Sequence, residues 1–133
     1  MRIATLVLTG AGCVLAAVSA HAHHSFAAEF AVERPVALQG KVTRVELINP
    51  HSWIHIEVFD ESGESTVWMI EGGSPNALVR RGITKNSIPL GSELIVNGYQ
   101  ARDGSYKAVG RDLLFADGTA LFFLGTPVPE LPE

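Results

Sequence analysis

One stretch, Ser74 to Gly82, reads as a helix in a chain that otherwise alternates like β-structure, and its position restricts the folds open to the rest. Ser74 can accept a hydrogen bond from a first-turn amide, and Pro75 suits the first helical position. Arg80 and Arg81 place positive charge at the end favoured by the helix dipole, and Gly82 can take the left-handed stop. Three strand-like stretches precede this helix: Val36–Leu47, Trp53–Phe59 and Ser65–Glu71. Two more, Glu93–Tyr99 and Tyr106–Phe115, follow it, with a short one at Leu121–Leu124. That is the order of an OB-type barrel, in which the first strand is long and bent and a helix plugs the gap between the third and fourth strands. The expected class is all-β with one short helix, a small OB-like β-barrel behind a signal peptide. A small sandwich or open sheet is the alternative.

The strands carry finer detail. Leu38, Gly40 and Val42 share one parity, whereas Val45 and Leu47 share the other. A switch of parity inside one strand predicts a bulge or bend, which Gly40 could ease. Asn49-Pro50 turns the chain. Ile54, Ile56 and Val58 then form a core face, with His55 and Glu57 opposite.

Residues 1–22 are expected to be a secretory signal peptide: Met1-Arg2 is positive, Ile3 to Val18 is an uncharged apolar run, and Ala20 and Ala22 supply the small residues of a cleavage site. The run falls short of the ~20 residues of a spanning helix, so no membrane span is expected after cleavage. Residues 23–35 read as an N-terminal arm, 36–125 as the barrel and 126–133, with three prolines, as a loose tail. Within the arm, Phe26 and Phe30 are placed so that one helical turn would press both on the barrel, and Pro35 ends any such helix. Cys13, the only cysteine, lies in the leader, and Gly10 three positions before it argues against a lipoprotein site. Cleavage after Ala22 leaves no cysteine, so the exported domain must depend on its core. It also removes Arg2, leaving 9 Lys+Arg against 14 Asp+Glu, a net charge of −5. A mildly acidic domain repels phosphate backbones, which excludes nucleic acid as the expected partner.

The histidines are the one constellation with chemistry in it. His21, His23 and His24 border the cleavage site, and His51 and His55 lie at the corner and on the second strand. Cleavage after Ala22 would free an α-amine on His23 beside its own imidazole, a nitrogen chelate that suits Cu(II). His24 and His51 would add imidazoles. Cleavage after Ala20 would instead leave His23 third from the terminus, another Cu(II)- or Ni(II)-binding arrangement. His51 and His55 are about 13 Å apart in an extended strand, too far to share an ion at ~2 Å bonds. The expected metal ligands are therefore His23, His24 and His51. Trp53, His55 and Trp68 are candidates for a ligand face: two outward tryptophans on consecutive strands would make an aromatic platform for an envelope glycan or protein. No nucleophile motif, phosphate loop or positioned carboxylate pair is visible, and no enzyme is expected. The Arg80-Arg81 pair reads as a solvated helix end rather than an anion site.

His23-His24-Ser25-Phe26-Ala27, Leu38-Gln39-Gly40-Lys41-Val42, Asn49-Pro50-His51-Ser52-Trp53, Gly73-Ser74-Pro75-Asn76-Ala77-Leu78 and Tyr99-Gln100-Ala101-Arg102-Asp103-Gly104 together resemble a family of small exported bacterial proteins classed as a domain of unknown function. The resemblance spans nearly the whole mature chain. It implies a bacterial, exported, OB-like β domain, periplasmic or secreted, and brings no activity with it. The functional expectation is a binding domain for copper or another transition metal. The alternative is an envelope interaction domain using the aromatic face.

Overall fold

In the computed structural model, residues 26–121 are described. Residues 1–25 and 122–133 lie outside them, and with them the expected signal peptide, His21, His23, His24 and the expected tail at 126–133. Five strands form a closed barrel: β1 (Phe30–Ile48), β2 (His51–Phe59), β3 (Ser65–Glu71), β4 (Glu93–Ala101) and β5 (Lys107–Phe115), arranged β1-β2-β3-β5-β4. Every neighbouring pair is antiparallel except β3 and β5, which meet in parallel over three residues. The helix α1 (Pro75–Arg80) and a 3-10 turn at Lys85–Ser87 join β3 to β4. Strand order and helix position are those of an OB-type barrel.

β1 is long because it serves two neighbours. Its first half pairs with β4 and its second half with β2, and Lys41 pairs with both Glu93 and Glu57. The expected parity switch is a bulge between Val42 and Arg44. Gly40, two residues before Val42, also meets a close approach from β2. A Cβ placed on it would lie 2.5 Å from the Glu57 carbonyl oxygen, so only glycine lets β2 approach this closely. β1 also starts at Phe30, earlier than the Val36 read from the sequence. Pro35 forbids helix but not strand, and it sits opposite Tyr99, with the register slipping between Phe30 and Pro35. The expected last strand, Leu121–Leu124, is described only at its first residue. There the Leu121 amide donates to the Leu113 carbonyl, 2.8 Å away.

Alternation fills the interior. Ile54, Ile56, Ile70, Leu94 and Val96 are wholly buried, each two residues from the next inward position on its strand. Leu78 of α1 joins them as the plug. The helix is punctuated as its sequence demands. Ser74 Oγ accepts from the Ala77 amide, and Gly82 adopts φ 77°. The Gly82 and Ile83 amides donate to Val79 and Leu78 carbonyls, and buried Ile83 packs in the same cluster as Leu78. That is a Schellman stop with its apolar contact.

A second, smaller cluster lies where the chain enters. Phe30, Tyr99, Ala101 and Val109 are buried together, with Phe26 against them. Residues 26–29 form one helical turn, and the Phe26 and Phe30 rings lie 5.9 Å apart, the packing their spacing predicted. Among the described residues, no helix is long and apolar enough to cross a membrane.

Candidate functional site

The Asn49-Pro50 corner, whose peptide bond is cis, reverses the chain between Ile48 and His51. β2 then alternates. Ser52, Ile54 and Ile56 turn inward and are fully buried, so His51, Trp53 and His55 occupy the outer face. The β2–β3 ladder continues past Glu71: the Ser52 amide donates to the Gly73 carbonyl and the Gly72 amide to the Ser52 carbonyl. This fixes the corner against the end of β3. Ser52 Oγ is buried with no hydrogen-bond partner among the described residues.

Register brings acidic groups to this outer face. Trp53 stands opposite Glu46 on one side and Glu71 on the other. His51 Nδ1 lies 3.0 Å from Glu71 Oε1. The imidazole is half-exposed while the Glu71 carboxylate is almost wholly covered. Burial pushes the Glu71 carboxyl above the usual carboxylate range. Nearby Glu29 adds to the rise, and the charges of His51 and Lys107 oppose it. Glu29, Glu46, His51, Trp53 and Glu71 line one open depression of about 380 Å³.

His55 faces outward but is already engaged. Its Nε2 lies 3.1 Å from Glu46 Oε2, and the other Glu46 oxygen pairs with Arg44. The His55 hydrogen bond is the largest influence holding the Glu46 carboxyl below its ordinary value, with Arg44 contributing. Trp68 is set opposite Ile56, an inward position, and packs against the core with its ring edge-on to Tyr106 at 5.3 Å. Trp53 and Trp68 therefore do not share a face, and the platform expected from two outward tryptophans is not assembled.

His51 is brought to the depression, while His23 and His24 lie outside the described residues. No group of three or more metal-binding side chains occurs among the described residues. Glu29, Glu46 and Glu71 line the same depression, a combination the sequence had not suggested, because they come from the arm, β1 and β3.

By fold and site, this is an OB-type barrel whose first hairpin presents a carboxylate-backed histidine beside a depression lined by three glutamates and Trp53. The chain belongs to the family of unknown function DUF6152, whose model matches residues 12–110. No curated protein matches the sequence.

Proposed function

We propose that this is an exported, non-enzymatic binding protein for a transition metal, copper foremost. The ligands would be His51 and the nitrogens of a processed chain start: the α-amine and imidazole of His23 and the imidazole of His24. One observation carries the reading. His51 stands at a depression whose wall includes Glu29, five residues after His24, with Nδ1 on a buried carboxylate and Nε2 engaged by no described residue. A carboxylate on one ring nitrogen fixes the tautomer and orientation and raises the basicity of the other, as at metal-ligating histidines generally. His24 precedes Phe26 by two residues, about 7 Å of extended chain, so the tether is short. An α-amine titrates near pH ~8 and an imidazole near ~6.5, so both become available as nitrogen donors close to neutral pH. Trp53 is left for contact with an envelope glycan or protein, but Trp68 packs against the core, which leaves that alternative with less support.

The test uses the exported form, its terminus fixed by intact mass. Calorimetry with Cu(II) should show one saturable site, weakened at least tenfold (about 1.4 kcal/mol) in His51→Ala and more in His23→Ala. Absence of saturable binding, or binding indifferent to His51→Ala, would remove the reading.

A further inference from the structure

We infer that the open edge of β3 at Ser65 and Val67 is a docking site for an extended, basic segment of a partner protein, which pairs with it as an added strand; the inference is independent of the metal reading. Ser52 exchanges backbone bonds with Gly72 and Gly73, so the even-numbered residues of β2 and β3 bond to each other across their ladder. Alternation then turns the backbone groups of Ser65, Val67 and Met69 away from β2. Met69 meets the start of β5 there, its amide donating to the Tyr106 carbonyl at 2.9 Å. The pairing of β3 with β5 begins at Met69 and ends at Glu71. Among the described residues, nothing pairs with the amides and carbonyls of Ser65 and Val67. Past its contact with β3, by contrast, β5 is covered by the returning chain: Leu121 donates to the Leu113 carbonyl and Phe115 to that of Thr119. The usual guards of an open edge are missing from β3. It holds no lysine, arginine or proline, and its register with β2 runs unbroken from Ser65 to Glu71.

The surroundings define the occupant. Phe59, Val67 and Tyr106, three of the six large apolar side chains left exposed among the described residues, stand at this edge, Phe59 opposite Ser65 and Tyr106 edge-on to Trp68. Alternate side chains of an added strand would cover them. The loop leading into β3 carries Asp60, Glu61 and Glu64, and Asp103 stands in the turn before Tyr106. The bases of that turn are directed elsewhere: Arg102 bonds to Ala27 and Glu33, and Lys107 acts on Asp103 and Glu71. A second copy of this chain would set the same acids against themselves. The chain's own residues 126–133 carry Glu130, Glu133 and three prolines, which have no amide to donate. A basic extended segment matches both the unpaired backbone and the charge.

The probe is a capped heptapeptide of alternating lysine and valine, titrated into the processed protein while amide hydrogen exchange and NMR shifts are followed. No metal is added, so the outcome is separate from the fate of the copper reading. In the free protein the Ser65 and Val67 amides should exchange fast. Saturable binding should protect them, and a glutamate–valine peptide of the same length should not bind. Val67→Pro deletes an edge amide without touching the β2 ladder, and Val67→Lys places a guard charge on an exposed side chain. Both should weaken binding at least tenfold while the β2 amides keep their protection. No saturable binding, equal binding by the glutamate–valine peptide, or undiminished binding to either variant would overturn the inference. So would protection of the Ser65 and Val67 amides before any peptide is added: at all protein concentrations the chain would be covering its own edge, and only at high concentration a second copy would be doing so.

Discussion

At the scale of single residues, Glu71 is the group whose surroundings set a measurable pH response. Its carboxyl is pushed up by burial, so between the ordinary carboxylate value and the raised one the folded chain holds a proton that the unfolded chain has released. Stability contributed by this group therefore falls as pH rises through that window. Glu46 and Glu33 act in the opposite sense. Both are held below their usual values, the first chiefly by the His55 hydrogen bond and the second chiefly by a backbone hydrogen bond. Their contribution is present above the ordinary carboxylate range and is lost as pH falls through their lowered values. Glu71→Gln removes the buried ionisation and, with it, the charge that faces His51. Urea denaturation of the two proteins between about pH 4 and 8 should show the variant gaining on the wild type as pH rises, after which the difference levels off. A difference independent of pH would mean that Glu71 is solvated in the folded chain.

The elements differ in how local their causes are, and α1 is the most local. Its only fully buried side chain is Leu78, whereas its neighbour Val79 is exposed. Leu78→Ala should cost ~2–5 kcal/mol by opening a cavity under the plug, and Val79→Ala less than ~0.5 kcal/mol. Denaturant midpoints would check the pair, and equal costs would place the helix off the barrel mouth. This helix was legible beforehand because Ser74, Pro75 and Gly82 act on the backbone within one turn of themselves. The bulge in β1 was legible for the same reason, since a parity switch is written in the strand that bears it. The pairing of Pro35 with Tyr99 was hidden, because a proline reads as a local stop and its partner lies far along the chain. Trp68 was undecided on its own strand. Val67, Trp68, Met69 and Ile70 are apolar at both parities, and only the opposition to Ile56 turns the indole inward. The His51–Glu71 contact needs the β2–β3 register, which no spacing in the sequence encodes.

For the molecule as a whole, the question is where the independently stable unit begins. Sequence alternation put the barrel's first residue at Val36. The folded chain instead buries Phe30 and Ala31, sets Phe26 against Phe30, and covers Tyr99 and Val109 with them. Those side chains form a cluster of their own against β4 and β5, apart from the main cluster that α1 plugs. Fully burying one large apolar side chain stabilises by about 1.5–3 kcal/mol, and removing Phe30 also uncovers its partners. Domains of this size have only about 5–15 kcal/mol in hand. A chain starting at Val36 should therefore lose several kcal/mol relative to one starting at His23, and urea midpoints at constant slope would measure it. Phe30→Ala in the longer chain should reproduce most of that loss, whereas His23→Ala and His24→Ala should not. If the chain beginning at Val36 proved as stable as the longer one, the arm would be a passenger on the barrel.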